Sequence, residues 1–337
     1  MNGRGSGARQ VGLLVIAFVA TIVLLAGGRA LIGRSSADRP AASTPAPQAS
    51  GPVITGSPAP TLGSSAPDGS GPPTIVLTGA GDIADCALAG AAKTSDILVG
   101  QAGSIFTAGD NAYPDGSAAN FSDCYGPTWG RVKDRTILPA AGNHDWNTGG
   151  AAGYLGYFGA AAAPHGVTWY STDLGAWHVI VLDSDCAQVG GCDAASPQGR
   201  WLAADLAASD ARCTLAIWHH PRFSSGEHGN DAEVGPFWNQ LVAAGAELVV
   251  NGHDHDYERF APQDAAGHLL RPGGLREIVV GTGGAELRAF HTLAANSEYR
   301  QAGTWGVLRL TLHPANYDWE FLPASGDLAD SGSTPCH

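Results

Sequence analysis

Five short apolar runs in this chain end alike, with Asp, Asn or His at or just past the carboxyl end. Residues 74–80 (TIVLTGA) give way to Gly81-Asp82, and residues 104–108 (SIFTA) to Gly109-Asp110. Residues 136–141 (TILPAA) lead into Gly142-Asn143-His144-Asp145, residues 213–218 (CTLAIW) into His219-His220-Pro221, and residues 247–250 (ELVV) into Asn251-Gly252-His253. Apolar runs of this length, bounded by Gly, Pro and Asp, read as buried strands. Residues 177–182, 277–280, 305–312 and 316–321 add four more. Between them lie helix signals. Ser196-Pro197 places an N-cap and a first-turn proline before a helix over 198–208, with Trp201, Leu202 and Leu206 on its buried side. Asn230 or Asp231 is expected to cap a second helix that buries Phe237, Trp238, Leu241 and Val242. The alternation predicts an α/β domain with both sheet faces covered. Ligands of such sheets bind at the carboxyl ends of strands, so Asp82, Asp110, Asn143, His219, His253 and His255 are expected on one rim.

Carboxylate, amide oxygen and imidazole together are donors for hard to borderline cations. No cysteine stands at these positions, which disfavours a thiolate zinc site. One carboxylate shared between two ions would make a two-metal hydrolase. The charge balance points the same way. Residues 1–73 hold five Arg against two Asp, and residues 74–337 carry the remaining −16 of a net −13. A nucleic acid held by bulk electrostatics is disfavoured, and an anionic substrate would need a local cation, which a metal ion provides.

The amino-terminal part has a different character. Arg4 and Arg9 precede an uncharged run of 18 residues, 11–28 (VGLLVIAFVATIVLLAGG). Its length falls between a signal peptide core and a spanning helix, and Ala26-Gly27-Gly28 offers a small-residue cleavage site. Residues 1–34 are therefore read as a signal peptide or a single-pass anchor, with the bulk of the chain outside. Residues 35–73, rich in Ala, Ser, Pro and Gly, read as a disordered linker, and residues 74–337 as the catalytic domain. All six cysteines lie in 74–337, which fits an oxidising, extracytoplasmic compartment. Cys186 and Cys192 enclose a short loop and are expected to be able to pair. Cys336 is placed to tie down the carboxyl-terminal tail.

The ordered set GD, GDxxY, GNHD, HxP and GHxH resembles the calcineurin-like metallophosphoesterases, and most closely their purple acid phosphatase branch. It is carried by Gly81-Asp82, Gly109-Asp110-Asn111-Ala112-Tyr113, Gly142-Asn143-His144-Asp145, His219-His220-Pro221 and Gly252-His253-Asp254-His255-Asp256-Tyr257-Glu258-Arg259. Most metallophosphoesterases open with Asp-x-His. Here that His is replaced by Ala84, and Tyr113 stands three residues after Asp110. The resemblance implies that Tyr113 supplies the missing ligand, and a phenolate favours Fe(III). Asp85 is a rival donor.

The resemblance implies a four-layer sandwich of two mixed β-sheets flanked by helices. It also implies two metal ions. Asp82, Asp110, Tyr113 and His255 would hold Fe(III) at the first site. Asp110, Asn143, His219 and His253 would hold Fe, Zn or Mn at the second, with Asp110 bridging and His220 as the alternative to His219. His144 would be the general acid, and Asp145 would orient it or satisfy loop amides. The nucleophile is expected to be a hydroxide whose pKa the cations lower. His228, His220 and Arg259 are candidate substrate contacts, although Arg259 can equally pair with Glu258 or another carboxylate. The implied reaction is hydrolysis of a small phosphoester, most simply a monoester. Phosphodiester or nucleotide hydrolysis on the same centre is the alternative, and a surface binding module without turnover is a third reading.

Overall fold

The computed structural model describes residues 71–327 and 330–337. The apolar run at 11–28 and nearly all of the linker at 35–73 lie outside the described residues. Among the described residues, no helix is long and apolar enough to cross a membrane.

Thirteen strands form two sheets among the described residues. They are β1 (Ile75–Ala80), β2 (Ser104–Ala108), β3 (Thr136–Ala140), β4 (Tyr170–Leu174), β5 (Trp177–Val181), β6 (Cys213–Ile217), β7 (Leu248–Asn251), β8 (Tyr257–Phe260), β9 (Arg276–Val280), β10 (Ser297–Gln301), β11 (Gly306–Leu312), β12 (Asn316–Pro323) and β13 (Asp330–Pro335). The first sheet runs β13-β12-β11-β1-β2-β3 and the second β10-β8-β9-β7-β6-β5-β4. Both are mixed. β1, β2 and β3 are parallel, as are β5, β6, β7 and β9, while the outer strands pair antiparallel.

The two-residue period of a strand explains the layering. In β5, Val179 and Val181 join the core between the sheets, whereas Ile180 faces the other way. Leu215 and Ile217 against Ala216, Leu248 and Val250 against Val249, and Ile278 and Val280 against Val279 divide likewise. Leu77, Phe106, Leu138 and Leu310 meet this inner core from the first sheet. The outer core is closed by the helices Pro197–Ala208 and Gly235–Ala244, through Leu202, Phe237, Trp238 and Leu241. Strands buried on both faces read as continuous apolar runs, which is why they are conspicuous in the sequence. On the other side, the helix Gly90–Gly100 packs beside β11 and the turn Trp129–Arg135. The result is the expected sandwich of two mixed sheets with helices.

Ser196 caps its helix as expected, its side chain accepting from the Gly199 amide. The second helix begins later than the sequence predicts, at Gly235-Pro236, with no side-chain cap. Asn230 is diverted: its carboxamide oxygen accepts from the Ser224 amide at 2.9 Å. Asp231 instead accepts from the Glu233 amide at 2.7 Å. The six cysteines form three disulfides, Cys86–Cys124, Cys186–Cys192 and Cys213–Cys336. The second is the short-loop pair, and the third fastens the tail to β6.

Candidate metal centre

The carboxyl ends of β1, β2, β3, β6 and β7 bring Asp82, Asp110, Asn143, His219 and His253 together, and the loop after β7 adds His255. Asp82, Asp110 and His253 have left-handed backbone, with φ of 57°, 49° and 70°. Such angles are costly outside glycine and persist where surrounding contacts over-determine them. Those contacts are visible. The second carboxylate oxygen of Asp82 accepts from the His253 amide at 2.8 Å, and Oδ1 of Asp110 accepts from the His144 amide at 2.8 Å. Each carboxylate is held by one oxygen and turns the other inward. The motif glycines allow the approach. A Cβ on Gly252 would lie 2.6 Å from the Asp82 carboxylate, and one on Gly109 would strike the His219 ring.

The inward atoms form two overlapping groups. The Tyr113 hydroxyl lies 2.9 Å from Asp82 Oδ1, 3.0 Å from Asp110 Oδ2 and 3.1 Å from His255 Nε2. His255 Nε2 lies 3.3 Å from Asp82 Oδ1. Asp110 Oδ2 is also 3.3 Å from His219 Nε2. That nitrogen lies 3.2 Å from Asn143 Oδ1 and 3.3 Å from His253 Nδ1. One carboxylate oxygen thus belongs to both groups.

Outer contacts set the tautomers. His219 Nδ1 donates to the Ala108 carbonyl at 2.8 Å, and His255 Nδ1 to the Glu286 carbonyl at 2.6 Å. Both rings therefore turn Nε2 toward the centre, which is the usual way a ligating imidazole is fixed. Electrostatics adds a second test of fit. Burial, then His219 and His220, push the His253 imidazole far below its ordinary pKa. Burial and His219 push His220 down to about 3. Neutral imidazole is the ligand form. Burial would lower His219 too, but the Asp110 carboxylate overrides it and holds the ring up at about 10. Burial, Asp110 and Asp82 raise the Tyr113 phenol well above its ordinary range. Protons do here what a cation does better: two carboxylates, a phenol oxygen and imidazole nitrogens converge with too few hydrogens to share. The donor set fits two cations.

His144 lies on the rim. Its Nδ1 faces the Pro114 carbonyl at 2.6 Å, its Nε2 lies 3.8 Å from Asp110 Oδ2, and its ring packs 4.4 Å from that of Tyr113.

Residues 92–257 match the family described as calcineurin-like phosphoesterase. The chain carries a calcineurin-like phosphoesterase domain. It is 32% identical over 167 residues to an uncharacterized Mycobacterium tuberculosis protein, covering 42% of this chain and 31% of that one. It is 34% identical over 122 residues to purple acid phosphatase 15 of Arabidopsis thaliana, covering 34% and 22%. The solved structure of the purple acid phosphatase PPD1 from yellow lupin seeds has a TM-score of 0.61, with 20% identity, over 78% of this chain and 54% of that one. The chain thus spans about a third or less of these two sequence relatives, and its likeness is to the purple acid phosphatase branch.

Around the donor cluster, the other expected residues divide. The His220 ring stands 4.3 Å from that of His253, and its Nδ1 lies 2.8 Å from Ser184 Oγ. The His228 ring also packs on His253, 4.2 Å away and tilted by 30°. Asp145 does not touch the His144 ring. It is fully buried and accepts from the Asn111 amide, the Asn111 side chain at 2.8 Å and the Gly142 amide at 3.0 Å. Arg259 takes the other course that the sequence left open, a carboxylate pair rather than a substrate contact. It pairs with Asp330 at 2.8 Å and with Glu298, and lies over the Trp319 ring. Its place on antiparallel β8 directs it to neighbouring strands, while Glu258 is occupied by Ser225 and Ser297. Two rim residues escaped sequence reasoning: Ser184, which meets His220, and Arg288, which meets His228. Ser184 lies just past the run at 177–182, as the candidate ligands lie just past theirs. Arg288 lies in an irregular segment with no motif.

A cavity of about 690 Å³ lies beside His178 and contains none of the candidate ligands. The convergent donors, rather than cavity size, define this site.

Proposed function

We propose that this chain is a binuclear metal-dependent phosphoester hydrolase, purple acid phosphatase-like, acting on small phosphate monoesters in an extracytoplasmic compartment. The observation that carries the reading is the Asp110 carboxylate oxygen, which lies within 3.3 Å of both Tyr113 and His219 and so belongs to both donor groups. Asp82, Asp110, Tyr113 and His255 would hold the first cation, for which the phenol oxygen favours Fe(III). Asp110, Asn143, His219 and His253 would hold the second: Fe, Zn or Mn. When bound, the pair supplies Lewis acidity toward phosphoryl oxygens and an activated water.

The chain's own groups do the rest. The Pro114 carbonyl keeps a proton on His144 Nδ1, so the proton that His144 exchanges is on Nε2, the atom turned to the rim. Protonating a leaving alkoxide is worth about 10²–10⁴ in rate. Asp145 fixes the two loops that carry Asp110 and Asn143. Three disulfides, no free cysteine and the apolar run at 11–28 support export, with the run serving as signal or anchor.

Two variants test the reading. Asp110→Ala is expected to lose both metal and aryl phosphate hydrolysis. His144→Ala is expected to keep two metal ions per chain and lose about 10²–10⁴ in kcat on an alkyl phosphate. Full turnover in both would overturn the proposal.

A further inference from the structure

Arg288 is built into the rim of the proposed centre. The Ala285 amide donates to the Asp82 carbonyl at 2.9 Å, and the Arg288 amide donates to the His255 carbonyl at 3.1 Å. Glu286 supplies the carbonyl that holds His255 Nδ1. Segment 285–288 is therefore fastened to two candidate ligands of the first cation. From it the Arg288 side chain reaches His228, with Nη1 3.0 Å from Nε2. The His228 ring in turn lies 4.2 Å from that of His253, tilted by 30°. Among the described residues, no other Arg or Lys is hydrogen-bonded to a candidate site residue.

The guanidinium is not used up. Its second contact is with Glu227 at 3.2 Å, again through Nη1. Nε and Nη2 have no hydrogen-bond partner among the described residues, and the side chain is 33% exposed. A guanidinium with an open edge is suited to bidentate binding of phosphate oxygens.

We propose that Arg288 binds non-bridging phosphoryl oxygens of the substrate and sets a preference for dianionic monoesters over monoanionic diesters. The inference rests on the hydrolase reading above. A monoester carries its second negative charge near neutral pH, because its second pKa is about 6. A diester has no second ionisation. Two cations serve either ester, and Arg288 rewards the additional charge. His228 guides the arginine by accepting from Nη1, and Glu227 restrains it and competes with the phosphate.

The test uses the full chain loaded with metal, with wild type, Arg288→Gln, Arg288→Lys and Glu227→Gln brought to equal metal content. Hydrolysis of 4-nitrophenyl phosphate and bis(4-nitrophenyl) phosphate is measured, with calorimetric binding of inorganic phosphate alongside. Arg288→Gln is expected to lower kcat/KM for the monoester about 10- to 100-fold and for the diester less than about threefold. It should weaken phosphate binding about tenfold or more. Arg288→Lys should recover part of both, and Glu227→Gln should tighten phosphate. Equal losses on both esters, or unchanged phosphate affinity in Arg288→Gln, overturn the inference. Should wild type cleave neither ester, the hydrolase reading fails by itself, and the phosphate measurement still decides whether Arg288 is an anion contact.

Discussion

The backbone amide of His144 donates to Oδ1 of Asp110 at 2.8 Å, which joins the group proposed to move a proton to the group proposed to bridge the metals. The bond uses the main chain of His144, so its ring can be removed while the bridge stays in place. A general acid matters most when the leaving group is poor. We therefore expect His144→Ala to lose about 10²–10⁴ in kcat on an alkyl phosphate and distinctly less on 4-nitrophenyl phosphate, at unchanged metal content. Equal losses on both would assign His144 to substrate binding.

Asp145 is a positioning residue rather than a partner of the His144 ring. Its buried carboxylate collects two hydrogen bonds from Asn111 and one from Gly142. Asp145→Ala strands these donors, at a cost of about 2–4 kcal/mol. Thermal melts should show that loss. Metal titration should show weaker binding as well, since the two tied loops carry Asp110 and Asn143. Normal stability together with lost turnover would return Asp145 to direct chemistry.

The bond between Cys213 and Cys336 closes the longest of the three disulfide loops, with a separation of 123 residues. A loop of that length constrains the unfolded chain by about 5 kcal/mol. The double variant Cys213→Ser, Cys336→Ser should unfold at correspondingly lower denaturant while its metal content stays at wild-type level. Loss of metal would mean that the tail supports the centre through β6 and His219.

His178 lies away from the candidate ligands, buried between Asp205 at 2.9 Å and Asp173 at 2.8 Å. The Asp205 hydrogen bond leads in raising its imidazole pKa above the ordinary value, against burial. A folded pKa above the unfolded one gives stability that is complete below the unfolded pKa, about 6.5, and is lost as pH rises through the folded value. The histidine therefore contributes more at pH 6 than at pH 9. His178→Gln should lower Tm most at pH 6, and the two proteins should converge at alkaline pH. A constant difference across that range would show that only packing was lost.

Much of this site is legible in the sequence because parallel strands deliver their ligands at one end. Asp82, Asp110 and His219 follow their runs directly, and the loss of the usual His at Ala84 together with Tyr113 identifies the first group. The strands β4, β10 and β13 are less legible, since they are partly exposed and lack long apolar runs, and β8 because its four residues, though mostly buried, include Glu258 and Arg259. The helix Gly90–Gly100 is hidden for a related reason: its buried face is made of Gly, Ala, Thr and Ser more than of large apolar residues. Arg259 shows the converse limit. Its proximity to GHxH in sequence draws it toward the centre, yet β8 carries it to Asp330. Arg288 reaches the rim through backbone hydrogen bonds, which leave no pattern in residue type.

The most direct test of the account is the visible absorption spectrum of the purified iron-loaded chain, read beside its metal content and compared with Tyr113→Phe. Two metal ions per chain are expected, with a phenolate-to-iron charge-transfer band that Tyr113→Phe abolishes. Two metal ions with no band, or a band that survives in Tyr113→Phe, would contradict the assignment of Tyr113. A chain that takes up no metal would contradict the binuclear centre itself.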